Sequence, residues 1–268
     1  MTTVHERARI GLVVPGDSHI DDEFWLLAGD DALPFVTRTI GASDVEMGGD
    51  AIAEVTGIAQ GPEIAAAAHR LSYVTPVAAA YVDTSISFVR GRGGDTEIGD
   101  RIGGILNCPA IVTSTAVAAA CAALGVRRVA AMSPYTDDLN ARLVTYFGSH
   151  GITITAVHPY RRTYPGGTTS LELGRTTPRE LVEDAESARA DGAEALFLAC
   201  TAVRPAAAVA GLEVSLGIPV ITAVGSTIWA VLCLAGAMGS RQGLGRLFTI
   251  DTLPVAFHPA PPTPVRAS

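Results

Sequence analysis

Hydrophobic residues along this 268-residue chain are concentrated in short, nearly uncharged runs, separated by segments with helical spacing of apolar positions. Short runs that are apolar throughout are typical of strands buried on both faces of a parallel sheet, with helices covering those faces. The pattern therefore predicts an α/β protein. Strands are predicted near residues 9–14, 36–40, 77–83, 109–113, 128–132, 152–157, 194–200 and 219–223.

Two helices carry clear boundary signals. The run Thr177-Pro-Arg-Glu180 is a capping box with proline at the first helical position, and Gly192 is predicted to end this helix. A second helical segment covers residues 51–71, with a break expected near Gly61, which a proline follows.

The second half of the chain repeats the order of elements found in the first. Cys108-Pro-Ala-Ile-Val-Thr begins a strand and a helix that ends at Gly125, and Ile218-Pro-Val-Ile-Thr begins a strand and a helix that ends at Gly236. Corresponding positions lie about 110 to 120 residues apart, which indicates two copies of one unit. We therefore expect two pseudo-symmetric, doubly wound units with parallel four-stranded sheets and an active site in the cleft between them.

The repeat also predicts a division of the chain. Residues 1–113 and 224–250 are assigned to the first α/β half, residues 114–223 to the second half, and residues 251–268 to an irregular, proline-rich C-terminal tail.

Candidate chemistry lies where the buried strands end. The strand that begins at Ala195 ends at Cys200, and the matching strand of the first half ends at Asp83, followed by Thr84 and Ser85. A thiol in a cleft can give or take a proton, and neighbouring hydroxyls can hold a carboxylate. The alternative is structural, because buried cysteines and Thr or Ser at helix N-termini are both common.

Composition excludes several classes of function. The formal charge of −8 argues against nucleic acid or an anionic membrane as a partner. All 19 basic residues are arginine, so Schiff-base, Walker A and kinase-type lysine chemistry is impossible. The six histidines show no paired ligand spacing, so no metal is expected. Residues 1–10 lack the apolar core of a signal peptide, which predicts a cytoplasmic location.

Several segments between residues 9 and 248 resemble the arylmalonate decarboxylase family of the aspartate/glutamate racemase superfamily, which also contains maleate isomerases and hydantoin racemases. They are Asp83-Thr-Ser-Ile-Ser-Phe-Val-Arg-Gly91, Ser114-Thr-Ala, Ala122-Ala-Leu-Gly-Val-Arg-Arg-Val-Ala, Tyr135-x-Asp-Asp-x-Asn140 and Gly245-Arg-Leu-Phe248.

The resemblance implies cofactor-free decarboxylation of α-substituted (aryl or alkenyl) malonates. One carboxylate would lie among hydrogen-bond donors, the other would leave an apolar pocket as carbon dioxide, and Cys200 would protonate the enediolate. The donors would include the backbone N–H after Cys200. Cys200 and Asp83 are the candidate catalytic residues. Six further residues are expected to bind the small carboxylate substrate: Pro15, Thr84, Ser85, Ile86, Tyr135 and Thr201.

The chain departs from that family pattern at two places. Asp83 stands where the decarboxylases have glycine and the racemases have a first cysteine, and Cys200 is followed by Thr-Ala rather than Gly-Gly. Asp83 could be protonated, could pair with Arg90 or Arg204, or could act as a second acid/base opposite Cys200. The last possibility makes a racemase or cis–trans isomerase of a small carboxylic acid the alternative function. A non-enzymatic binding protein with a structural cysteine is the third hypothesis.

The sequence carries no signal for the oligomeric state. The substrate side chain also stays open, because residues 41–49 and 160–174, which would select it, contain no specific motif.

Overall fold

In a computed structural model that describes residues 7–40, 51–164, 168–188, 192–239 and 241–260, the chain forms two parallel four-stranded sheets. The first sheet has the order β2-β1-β3-β4 and the second the order β6-β5-β7-β8, so the two sheets have the same topology. The predicted α/β class with two pseudo-symmetric units is confirmed. The strands are β1 (Ala8–Val14), β2 (Ala32–Arg38), β3 (Ala78–Tyr81), β4 (Ala110–Val112), β5 (Arg128–Met132), β6 (Thr153–His158), β7 (Ala195–Leu198) and β8 (Val220–Thr222).

Helices cover both sheets. They are α1 (Asp21–Ala28), α2 (Ala51–Gln60), α3 (Glu63–Leu71), α4 (Thr84–Phe88), α5 (Gly94–Leu106), α6 (Thr113–Ala123), α7 (Asp137–Ser149), α8 (Ser170–Leu173), α9 (Pro178–Ser187), α10 (Ala206–Leu216) and α11 (Ala223–Leu234). Three short 3-10 turns occur at Ser72–Val74, Arg246–Thr249 and Val255–Phe257. No helix among these described segments is long and apolar enough to span a membrane.

The strand predictions hold best where the strand is central. All residues of β3 and β7 are buried, as expected for strands covered on both faces. The prediction for β2 was wrong by several residues, because this strand pairs with β1 from Ala32 onward and ends at Arg38. It contains Pro34, which an edge strand tolerates and a central strand does not, and β2 lies at the edge of its sheet.

The helix boundary signals give one confirmation and one correction. Thr177 and Glu180 form both hydrogen bonds of the predicted capping box at the start of α9. The helix ends at Ser187 rather than at Gly192, because the Ala188 N–H already closes the last turn on the Asp184 and Ala185 carbonyls. The break near Gly61 is confirmed between α2 and α3.

The two sheets meet through helices α6 and α11. Helix α11 contacts β3 and β4 of the first sheet and β8 of the second, and α6 contacts both β4 and β8. In this interface the Thr227 hydroxyl donates to the Thr113 hydroxyl at 2.9 Å. The division of the chain into halves at residues 113 and 223 stays a prediction, since these helices pack on both sheets.

Part of the tail packs on the body of the protein. Residues 255–257 form a 3-10 turn, and the Phe257 ring stacks on His150 with 5.9 Å between ring centroids. Residues 261–268 of the predicted irregular tail lie outside the described residues.

Asp95 connects elements of both predicted halves. This residue of α5 is 2 % exposed, and its carboxylate accepts hydrogen bonds from the Thr115 hydroxyl of α6 and the Tyr146 hydroxyl of α7, both at 2.7 Å. A third bond comes from the Gly93 backbone N–H at 2.8 Å. Removing the carboxylate would therefore leave three donors without their acceptor.

We expect Asp95→Ala to lower the free energy of unfolding by about 2–4 kcal/mol, because buried donors that lose a charged acceptor keep their desolvation cost. The measurement is urea unfolding followed by circular dichroism. Asp100→Ala, at an exposed position of the same helix, is the matched control. Equal stability of the two variants would contradict the assigned role of Asp95.

Candidate active site

A pocket lies beyond the carboxyl ends of the central strands, where both sheets contribute residues. Seven of the eight residues predicted for the site line it: Pro15, Asp83, Ser85, Ile86, Tyr135, Cys200 and Thr201. The eighth, Thr84, is buried beside them. The remaining lining residues are Asp17, Ser18, Thr39, Ala51, Val55, Ile58, Leu139, Ser170 and Ala202.

Cys200 follows β7 and is held in a constrained backbone conformation. Its φ of 79° lies in the left-handed region, which residues other than glycine adopt at a cost. The Ala202 N–H donates to Sγ at 3.4 Å, and the Tyr160 hydroxyl donates to the Ala199 carbonyl at 2.8 Å. These contacts fix the thiol at the wall of the pocket.

The Cys200 thiol is neutral at physiological pH. Burial raises its pKa to about 12, and the nearby charges of Asp83 and Asp17 act in the same direction. A thiol with this pKa holds its proton and is suited to donating it to a strongly basic carbanion.

Asp83 follows β3 and caps helix α4. Its Oδ1 accepts a hydrogen bond from the Ile86 N–H at 2.7 Å and one from the Ser85 hydroxyl at 3.2 Å. Burial raises the pKa of its carboxyl to about 6. The charge of Asp17 also raises this pKa, whereas the hydrogen bonds from Ile86 and Ser85 lower it. Asp83 is therefore both a helix cap and a group that titrates close to neutral pH.

The proposed pairing of Asp83 with an arginine is wrong. Arg90 forms its ion pair with Glu97 at 2.8 Å, and Arg204 forms one with Asp22 at 3.1 Å. Both guanidinium groups pair with other carboxylates, so neither neutralises Asp83.

Arg204 instead joins segments around the pocket. Besides Asp22, its guanidinium donates to the Gly174 carbonyl at 2.8 Å and to the His19 carbonyl. His19 follows the pocket residue Ser18, and Gly174 ends the helix that begins with the pocket residue Ser170. The arginine thus ties the loop after Cys200 to two other walls of the pocket.

Tyr135 is held with its ring in the pocket wall. Asn140 donates to the Tyr135 carbonyl at 3.0 Å, and the ring meets Phe88 edge-on at 5.7 Å between centroids. Burial keeps the pKa of the Tyr135 hydroxyl well above its ordinary value, with further contributions from Cys200 and Asp83. The neighbouring Thr84 hydroxyl acts in the opposite direction. Tyr135 is thus a neutral hydrogen-bond donor beside the thiol.

One wall of the pocket is apolar. Val55 and Ile58 come from α2 and Leu139 from α7, and Ile86 lies beside them. Sequence reasoning missed the first three residues, because apolar positions at helical spacing look the same whether they face a core or a pocket.

Besides Asp17 and Ser18, which lie in the same loop as the predicted Pro15, two more polar lining residues were absent from the prediction. Thr39 follows β2 and carried the strand-end signal, but the shifted prediction for that strand concealed it. Ser170 comes from the segment 160–174, which was expected to select the substrate without any residue being singled out. The other such segment, residues 41–49, lies outside the described residues.

The described part of the chain contains no group of three or more His, Cys, Asp or Glu side chains placed to hold a metal ion.

The sequence profile of the family described as arylmalonate decarboxylase matches residues 10–248. The chain belongs to the arylmalonate decarboxylase family. It is 29 % identical to the arylmalonate decarboxylase of Bordetella bronchiseptica over 221 residues, which cover 81 % of this chain and 86 % of that protein. It is also 28 % identical to the maleate isomerase of Geobacillus stearothermophilus over 125 residues, which cover 46 % of this chain and 48 % of the relative.

Solved structures of both enzymes share the fold of this family member. Unliganded arylmalonate decarboxylase superimposes with a TM-score of 0.70 at 25 % identity, covering 90 % of this chain and 99 % of that one. The maleate isomerase Iso of Pseudomonas putida superimposes with a TM-score of 0.75 at 20 % identity, covering 90 % and 98 % of the two chains.

The raised pKa of Asp83 predicts a stability effect with a defined sign. Because the pKa is about 6 in the folded protein and 3.8 ordinarily, ionisation of this carboxyl lowers the free energy of unfolding as the pH rises between these values. Asp83→Asn keeps the helix cap and stays neutral, so it should be more stable than the parent above about pH 6, by about 1–3 kcal/mol after allowance for the open pocket.

The measurement is chemical unfolding as a function of pH, and the difference should vanish below about pH 4. Asp137→Asn, at the exposed first turn of α7, is the control and should give no such gain. A stability difference that is independent of pH would show that Asp83 does not titrate as described.

Proposed function

We propose that this protein decarboxylates α-substituted malonates without a cofactor and that Cys200 protonates the resulting enediolate. The observation that carries the proposal is a neutral thiol, fixed at the wall of a pocket that is lined by both hydroxyl groups and apolar side chains. Membership of the arylmalonate decarboxylase family supports it independently.

The pocket offers different surroundings to the two carboxylates of a malonate. The carboxylate that is retained would accept hydrogen bonds from the hydroxyls of Ser85, Tyr135 and Thr201, with Thr84 behind them. The carboxylate that leaves would face the apolar wall of Val55, Ile58 and Leu139. Such a wall solvates a charged carboxylate poorly, whereas neutral carbon dioxide does not carry that cost.

The chemical step then needs only an oxyanion site and an acid. The bond between the α-carbon and the leaving carboxylate breaks, carbon dioxide departs, and the electron pair passes into an enediolate held by the hydroxyl donors. The proton on Sγ of Cys200 moves to the α-carbon, and the thiolate recovers a proton from water. Because Cys200 approaches from one wall, protonation occurs on one face of the carbanion.

Asp83 acts in its protonated form in this mechanism. A dianionic substrate beside its carboxyl raises the pKa further from about 6, so Asp83 binds a proton together with the substrate. A protonated carboxyl donates a hydrogen bond to the retained carboxylate, as a neutral acid does in other oxyanion sites.

The alternative is a racemase or cis–trans isomerase of a small carboxylic acid. The observation that favours it is the same carboxyl, because at a pKa of about 6 most of Asp83 is ionised near neutral pH in the free protein and could remove a proton. Cys200 would then return a proton from its own wall. The partial similarity to a maleate isomerase supports this second hypothesis.

We expect Cys200→Ala to lower the rate of carbon dioxide release from phenylmalonate by about a hundredfold to ten-thousandfold, because the enediolate loses its acid. Release is measured by coupled detection of carbon dioxide or by loss of one carboxyl in the mass spectrum. Cys233→Ala, which removes another thiol of high pKa on α11, is the matched control and should turn over normally. Undiminished turnover by Cys200→Ala would refute the role of Cys200.

Variants of Asp83 separate the two enzymatic hypotheses. For the decarboxylase, Asp83→Asn keeps a neutral hydrogen-bond donor and should retain decarboxylation. Asp83→Gly loses that donor, but it also removes the carboxylate that must first bind a proton, so it should retain or increase decarboxylation above about pH 6. For the isomerase, both variants should abolish proton–deuterium exchange at the α-carbon of a monocarboxylate. A pure binding protein would show a thermal shift with phenylacetate and no turnover of any substrate.

A further inference from the structure

The polar wall of the pocket is acidic and carries no cation. Among the described residues that line it, Asp17 and Asp83 bear carboxyls, and none is an arginine or a histidine; the chain contains no lysine. The charge of Asp17 acts on both Asp83 and Cys200, which places all three groups around one space.

Two arginines contact segments that line the pocket, but both form ion pairs with carboxylates other than Asp17 and Asp83. Arg38 reaches the Ser18 carbonyl at 3.1 Å, but its charge is paired with the Asp21 carboxylate at 2.8 Å. Arg204 is paired with Asp22. Neither guanidinium neutralises the acidic groups that face the pocket.

Asp17 differs from Asp83 in lacking partners. Asp83 accepts hydrogen bonds from Ser85 and Ile86, whereas the Asp17 carboxylate receives no hydrogen bond and no ion pair from any residue that the structure describes. Asp17 is half-buried at the pocket, next to the hydroxyl of Ser18. A half-buried carboxylate with no protein donor is suited to a donor that arrives with the ligand.

The geometry points to a substrate that carries an ammonium group on its α-carbon, bound by Asp17, while its leaving carboxylate faces Val55, Ile58 and Leu139 as proposed above. This assignment rests on the proposed function and narrows its substrate class to α-amino malonates. An ammonium group reduces the charge of the bound dianion from −2 to −1, so it offsets the repulsion that an unsubstituted malonate would meet at this wall.

The reaction balances with the machinery already described. The bond from the α-carbon to one carboxylate breaks, carbon dioxide leaves, and the electron pair stays in the enediolate. The Cys200 proton then forms the new C–H bond, and the product is an α-amino acid whose ammonium group is unchanged. No oxidant, reductant or second substrate is required.

Three ligands that differ in one substituent test the inference. Phenylglycine, mandelate and phenylacetate share the ring and the carboxylate but carry an ammonium, a hydroxyl or a hydrogen at the α-carbon. Calorimetric titration of the protein near neutral pH should show phenylglycine binding at least about tenfold more tightly than the other two. Equal or tighter binding of phenylacetate or mandelate would overturn the inference.

Asp17→Asn keeps the size of the side chain and removes its charge. It should weaken phenylglycine binding by about tenfold or more and strengthen phenylacetate binding, because the repulsion between two anions is relieved. Asp100→Asn is the control at an exposed carboxylate outside the pocket and should change neither affinity. Circular dichroism of each variant verifies that it is folded. A loss of phenylglycine affinity that Asp100→Asn shares would also contradict the role of Asp17.

Turnover separates this inference from the proposed function. Decarboxylation of 2-amino-2-phenylmalonate in preference to phenylmalonate, lost in Asp17→Asn, supports both. Asp17-dependent binding of phenylglycine without decarboxylation of either malonate would retain the ammonium site and refute the decarboxylase. Turnover of phenylmalonate with no preference for the ammonium-bearing ligands would retain the decarboxylase and refute the ammonium site.

Discussion

The removal of two acidic groups from water, without a cation among the described lining residues to compensate them, is the constraint on which the site depends. Asp83 and Cys200 follow the central strands β3 and β7 and share one pocket, and burial is the largest cause of the raised pKa of each. An arginine in the same wall would have favoured the ionised forms and turned both groups into bases. Because Arg38 pairs with Asp21 and Arg204 with Asp22, neither guanidinium offsets the effect of burial, and both groups hold their protons more tightly than they would in water.

Asp83 shows how a structural role and a chemical role coexist in one side chain. Its Oδ1 caps α4 through the Ile86 N–H, which explains why a helix can begin directly after β3. The same carboxyl lines the pocket, where the family resemblance implies a glycine in the decarboxylases. Asp83 therefore brings a titratable group to the pocket through the same carboxyl that starts α4.

Much of the fold was predictable because it depends on patterns that are local in sequence. Strands such as β3 and β7 are apolar throughout, and the repeat of strand, proline and helix fixed the correspondence of the two sheets. The position of β2 was not predictable in the same way, since an edge strand containing Pro34 has only one neighbour to define its limits.

The site was predictable only where a side chain follows a strand. That rule located Asp83 and Cys200, but it could not find Val55 and Ile58, which reach the pocket from α2 through tertiary packing. Nor could it choose the partner of Arg204, whose long side chain has several carboxylates within reach along the folded chain; Asp22 lies 182 residues away in sequence. Such pairings depend on the assembled structure rather than on any local pattern.

Because the two units have the same sheet topology, the chemical difference between their corresponding strand ends is informative. Two equivalent strand ends present a carboxyl and a thiol, and burial moves both pKa values upward, to about 6 and about 12. A pair of identical groups would permit proton transfer from either face with equal ease. Here one group exchanges its proton near neutral pH and the other holds it, so the two walls of the pocket differ in acid/base chemistry. The sequence difference between the halves thereby becomes a chemical difference between two strand ends, within a fold that does not itself distinguish them.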